Sequence, residues 1–343
     1  MRAAVLHEAR DLRLEDVPEP EVGAREVRVA IKKVGICGSD VHYWRTGRIG
    51  DFIVKEPMVL GHEVAGVVAE VGSEVTSLVQ GDRVALEPGV PCRRCEWCKT
   101  GRYNLCPDVV FMATPPVDGA LSDFFVTPED FAYKLPDNVS LEAGALVEPL
   151  SVGIHACRRA GLELGQSVFI AGAGPIGIAS LLAVKAFGAS EVYMSDVRDF
   201  RLELAKKLGA TDVFGAKDAD AGERVAELTN GRGVDVAIEC AGAEQALVDC
   251  LNTAKRGGVI VVVGLGDQDR YSLPLVNLAV KELDIKGIFR YVYTYPAALK
   301  ALASGDIDVE GMITHHFPFD DLLTGFEYAE KGTDGAVKVM VDV

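Results

Sequence analysis

Val168-Phe169-Ile170-Ala171-Gly172-Ala173-Gly174-Pro175-Ile176-Gly177 is the stretch that decides the fold. Four apolar residues, the length of a buried strand, run straight into Gly172, Gly174 and Gly177 at Gly-x-Gly-x-x-Gly spacing. Residues 176–188 then carry helical periodicity, with Pro175 and Ile176 opening the helix. That order meets three demands of a dinucleotide site: a tight turn, a backbone open to a pyrophosphate, and close helix–strand contact. The helix N-terminus adds unsatisfied N–H groups and the positive end of its dipole. Glycine turns between strand and helix also occur for structural reasons alone, so the next strand, 191–195, matters. Asp196 closes it, placed to accept the adenosine ribose hydroxyls and to repel the extra phosphate of NADP. NAD is therefore the expected cofactor. Arg198 and Arg201 beside it leave some room for NADP.

Outward from this stretch the rhythm continues. A helical segment at 201–208, a strand at 234–239, a helical segment at 244–255 and a strand at 259–263 alternate in sequence. Such alternation implies parallel βαβ units in a doubly wound sheet, an α/β fold. Before residue 135 the chain reads as short β pieces (26–31, 64–71, 83–86) cut by Pro18, Gly23, Gly72, Gly81 and Pro88, as in a β-barrel or sandwich. After about Gly287 the alternation fades, and the tail is expected to rejoin the first domain. A length of 343 residues suits two domains.

Cysteine placement is uneven. Cys92, Cys95, Cys98 and Cys106 follow Cys-x2-Cys-x2-Cys-x7-Cys, a spacing suited to a closed tetrahedral thiolate site for structural zinc. An iron–sulfur cluster or a nucleic-acid zinc ribbon uses four cysteines too. A net charge of -16 weighs against the ribbon, because phosphate neutralisation needs clustered Lys and Arg. A second set is dispersed: Cys37 in Gly35-Ile36-Cys37-Gly38-Ser39-Asp40-Val41-His42, His62 in Gly61-His62-Glu63, and Glu148 before Pro149. Catalytic zinc takes about three protein ligands plus a position for water or substrate. Taken singly, His62 reads as a hydrogen-bonded core histidine and Cys37 as a small buried apolar residue. Their joint occurrence with the four-cysteine lobe and the glycine turn favours metal. No stretch approaches the ~20 apolar residues of a membrane span, and the N-terminus reaches His7 and Glu8 too soon for a signal peptide. The expectation is a cytoplasmic protein with neither nucleic-acid nor membrane partners.

These motifs identify a resemblance. The chain resembles, essentially end to end, the zinc-containing medium-chain alcohol dehydrogenases, and within them the polyol (sorbitol and xylitol) dehydrogenases. The resemblance is carried by residues 37–44 (Cys37-Gly38-Ser39-Asp40-Val41-His42-Tyr43-Trp44), Gly61-His62-Glu63, Glu148-Pro149-Leu150-Ser151-Val152-Gly153, the glycine turn, and Gly287-Ile288-Phe289-Arg290-Tyr291. It implies a GroES-like β-barrel catalytic domain (1–151 and 288–343) interrupted by a Rossmann domain (152–287), with the active site in the cleft between them. It further implies one catalytic and one structural zinc per chain. Cys37 and His62 would ligate the catalytic ion, with either Glu63 or Glu148 as the third ligand. Ser39 would start a proton relay that His42 continues, unless His42 is simply a surface histidine. Tyr43, Phe111, Glu148, Arg290 and Tyr291 match substrate positions, although Arg290 has the alternative of pairing with a carboxylate. Gly172, Gly174, Pro175, Ile176, Gly177, Asp196, Arg201, Val263, Leu265, Phe289 and Arg290 fall on the cofactor. The implied reaction is reversible, NAD-linked oxidation of a secondary hydroxyl of a sugar alcohol to the ketose. A vicinal diol such as butane-2,3-diol, or L-threonine, is the rival substrate, and a homotetramer the implied assembly.

Overall fold

The computed structural model describes residues 1–266 and 270–343. The chain folds as two compact units, Met1–Glu148 with Tyr295–Val343, and Pro149–Thr294.

In the first unit the central strand is Glu26–Gly35. Val27, Val29 and Ile31 alternate inward, the period of a sheet with one face on a core. It pairs antiparallel with Glu63–Val71, Phe124–Pro128 and Lys338–Asp342. Arg83–Leu86 and Ala132–Lys134 extend the sheet on one side, and Ile313–Pro318, parallel to Lys338–Asp342, extends it on the other. Val27, Val29, Ile31, Val64, Leu86 and Val339 share one core with Trp44 and Phe326, whose rings meet edge to face at 5.7 Å. Trp44 comes from a helix, Gly38–Thr46, in a stretch where the sequence reading had only β pieces. Its nine residues alternate small, polar and aromatic types and show little apolar periodicity; the turn at Cys37 and the Asp40 cap start it instead.

The second unit is a six-stranded parallel sheet. In spatial order its strands are Asp212–Gly215, Glu191–Asp196, Ser167–Ala171, Val234–Glu239, Ala254–Val262 and Asp284–Gly287. Numbered along the chain this is 3-2-1-4-5-6, the doubly wound order whose direction reverses beside the first strand. Phe169 and Phe214 stack at 6.0 Å in its core. Among the elements that escaped the periodicity reading are the strands Asp212–Gly215 and Asp284–Gly287 and the helices Ala221–Leu228 and Leu275–Lys281. The helix expected to run to residue 255 stops at Thr253, because Ala254 already pairs with Val234.

Candidate active site

Three strands of the first unit end at one point. Gly35 lies opposite Glu63 in one ladder and opposite Met340 in the other, so Cys37, His62, Glu63 and Lys338 converge. Ligand atoms of Cys37, His62 and Glu63 all lie within 4.8 Å of one another. Glu148, in the first turn of the helix Val147–Ala160, is buried but does not belong to that group. Gly35 is what makes room: a Cβ there would stand 2.1 Å from Glu63 Oε2.

Asp40 braces the same corner. Its carboxylate accepts the Cys37 N–H at 3.0 Å and the Gly61 N–H at 3.1 Å, and its Oδ1 lies 3.5 Å from His62 Nδ1. Burial pushes its carboxyl upward, yet the neighbouring His62 and these two N–H groups win and hold it below the usual range. Orientation of a ligating imidazole by a carboxylate is the usual support for a metal-binding histidine. Lys338 Nζ donates to Glu63 Oε1 at 2.6 Å and to the Ile36 carbonyl at 3.0 Å. The same ammonium lies 2.6 Å from Glu63 Oε2, which is buried. A thiolate, an imidazole and a carboxylate fit a zinc ion that retains an open position.

Around this group, Ser39 and His42 sit three residues apart on the helix Gly38–Thr46, both half-buried and on one face. Tyr43 beside them is buried. The Phe111 ring is 6.0 Å from that of His62, an apolar wall.

The four cysteines also gather. Cys92, Cys95, Cys98 and Cys106 form a second group within 4.8 Å. The Cys92 N–H points at Cys106 Sγ and the Cys95 N–H at Cys92 Sγ, each at 3.4 Å. Backbone N–H groups of Arg94 and Cys95 draw the Cys92 thiol down to about 6. Tyr103, three residues before Cys106, donates to the buried Glu87 at 2.5 Å, and Tyr133 of the barrel donates to it at 2.9 Å. Sequence reasoning missed Glu87, Asp40 and Lys338. Only Asp40 left a signal, an acidic residue three positions after a helix start.

In the second unit, Gly172 adopts φ +102°, and a Cβ on Gly177 would lie 1.9 Å from the Gly172 carbonyl. Gly174 caps the helix Pro175–Ala186, with Pro175 at its first position. Both oxygens of Asp196 are engaged, by the Ala173 N–H at 2.7 Å and the Arg198 N–H at 3.0 Å. Arg201 Nη1 is 3.6 Å away. Asp196 is thus tied to the glycine turn itself. Val263 donates to the Glu239 carbonyl at 2.9 Å, and Leu265 is exposed. Phe289 lies under the Arg290 guanidinium at 4.6 Å, Arg290 has φ +53°, and Tyr291 is buried.

With this geometry in view, comparison with known proteins agrees. Residues 23–137 match the alcohol dehydrogenase GroES-like domain, and residues 175–304 match the zinc-binding dehydrogenase family. The sorbitol dehydrogenase of Bos taurus is 50% identical over 339 residues, 98% of this chain and 94% of that protein. That of Bacillus subtilis (strain 168) is 47% identical over 341 residues, 99% and 97%. A solved Escherichia coli oxidoreductase/dehydrogenase of unknown specificity superposes with a TM-score of 0.95 at 37% identity, covering 99% of this chain and 98% of its own. The chain belongs to the zinc-containing medium-chain alcohol dehydrogenases, in their polyol branch. It is an oxidoreductase acting on CH–OH groups with NAD, and it takes one catalytic and one structural zinc. No helix among the described residues is long and apolar enough to cross a membrane.

Proposed function

We propose that this chain oxidises a secondary hydroxyl of a sugar alcohol of the sorbitol or xylitol type to the ketose, reversibly and with NAD. The observation that carries the reading is near-half identity, over almost the whole chain, to sorbitol dehydrogenases. Zinc would supply Lewis acidity that lets an alcohol ionise near neutral pH, and NAD the hydride acceptor.

The residues divide the remaining work. Cys37, His62 and Glu63 hold the metal, and Glu148 accepts from substrate hydroxyls. Ser39 takes the substrate proton, and His42, one turn further along the same helical face, passes it outward. Tyr43 and Phe111 shape the pocket, polar and apolar in turn. Arg290 and Tyr291 serve the additional hydroxyls that distinguish a polyol from a simple alcohol. The unit Pro149–Thr294 holds NAD through Gly172, Gly174, Pro175, Ile176, Gly177 and Asp196, with Arg201, Val263, Leu265, Phe289 and Arg290 completing that site. A homotetramer forms part of this reading, and sedimentation tests it.

The deciding experiment follows NADH absorbance with xylitol, sorbitol, butane-2,3-diol, L-threonine and propan-2-ol. The polyols should give the highest kcat/KM; preference for the diol or threonine would overturn the substrate assignment. Arg290→Ala should lower kcat/KM for the preferred polyol by about 5- to 150-fold, the cost of one unmet polar contact, and for propan-2-ol far less. Equal losses would place Arg290 outside substrate recognition. Asp196→Ala should narrow the preference for NAD over NADP by about tenfold, the effect of one nearby charge. Wild-type use of NADP as good as NAD would contradict that role.

A further inference from the structure

Lys338 has no exposed surface, and its ammonium is directed at a carboxylate of the metal group. Val339, Met340 and Val341 around it are buried as well, a setting that would accept an apolar side chain. A buried ion pair rarely recovers its desolvation cost, so this lysine calls for a reason beyond stability. The charges supply one. Cys37, Glu63 and Glu148 all act on Lys338 electrostatically. A thiolate and two carboxylates around one divalent ion would leave negative charge in excess, and the ammonium would offset it.

We propose that Lys338 is a positioning residue for the catalytic metal: it shares Glu63 with the ion and withholds part of that carboxylate's charge, keeping the metal a strong Lewis acid. This rests on the zinc dehydrogenase reading above. Lys338 Nζ stands 2.6 Å from both oxygens of Glu63, and Oε2 also fills the space cleared by Gly35. A lysine retained only to join strands would leave the chemistry of the ion unchanged.

Lys338→Gln tests this, because glutamine can still donate to Glu63 and to the Ile36 carbonyl but carries no charge. Without the ammonium, Glu63 would give its whole charge to the metal. In chelator competition the variant should hold its catalytic zinc about tenfold more tightly, with the four-cysteine zinc as an unchanged internal reference. The rising acid limb of kcat/KM against pH should move upward by about one unit, as expected for loss of a cation a few ångströms away. Lys338→Arg should restore both. Catalytic zinc held equally or more weakly, or an unmoved pH profile, overturns the proposal. So does a zinc-loaded Lys338→Gln protein that fails to fold, since that would make Lys338 a structural anchor. The chelator measurement is independent of substrate, so failure of the polyol assignment leaves it intact. A wild-type protein that binds no zinc at Cys37 would instead mark failure of the underlying reading.

Discussion

The two cysteine-containing groups of the first unit are built in opposite ways. The lobe of Cys92, Cys95, Cys98 and Cys106 draws four identical soft ligands from one short loop, and three of the four are half-buried. The Cys37 group draws three different side chains from two strand ends, with two of them buried. A ligand set of thiolates alone, closed on itself, suits an ion that holds a loop together. A mixed set of thiolate, imidazole and carboxylate suits an ion that must also receive a substrate. Local construction lets the first site close without distant strands. Dispersed construction makes the second a product of the fold.

The contrast predicts effects that separate cleanly. Cys37→Ser should lower kcat by at least about a thousandfold, since Lewis acidity is worth several kcal/mol, while Tm moves by no more than a few degrees. Cys95→Ser should do the reverse, lowering Tm by about 10 °C because metal binding at a closed site is folding free energy. Comparable thermal losses in both variants, or fewer than two zinc ions per chain in the unmodified protein, would erase the distinction. The smallest effect concerns Glu87, which joins the lobe to the barrel. Burial pushes its carboxyl up to about 7, despite the two phenol hydrogen bonds that pull it down, against an ordinary value of 4.5. The folded chain thus keeps a proton that the unfolded chain has lost, and this contribution to stability is complete below about 4.5 and disappears as pH rises through about 7. The loss is at most about 3 kcal/mol. Wild-type Tm should therefore fall relative to Glu87→Gln between pH 5 and pH 8; parallel curves would show that Glu87 does not couple the lobe to pH.

The same contrast explains what could be read in advance. The four-cysteine spacing and the glycine turn were legible because each is complete within a few residues. Cys37 and His62 were legible only jointly. Which of Glu63 and Glu148 gathers with Cys37 and His62 was not legible at all, because it depends on Gly35 standing opposite Glu63 in a ladder. Lys338 was hidden by its neighbours: in Ala336-Val337-Lys338-Val339-Met340-Val341 a lysine reads as the solvent side of a strand, yet this one has no solvent side. The helix Gly38–Thr46 was missed because its cap, not its periodicity, defines it.

The pairing of Glu63 with Lys338 also bears on the order in which the molecule assembles. These residues are 275 positions apart, with the whole second unit threaded between them, whereas Cys92 and Cys106 are 14 apart. Closing the longer loop costs more chain entropy and awaits the strands at both its ends, whereas the lobe can close on its own. A refolding chain is therefore expected to acquire its scaffold ion early and its reactive centre last, and an intermediate trapped along the way would contain metal without being an enzyme.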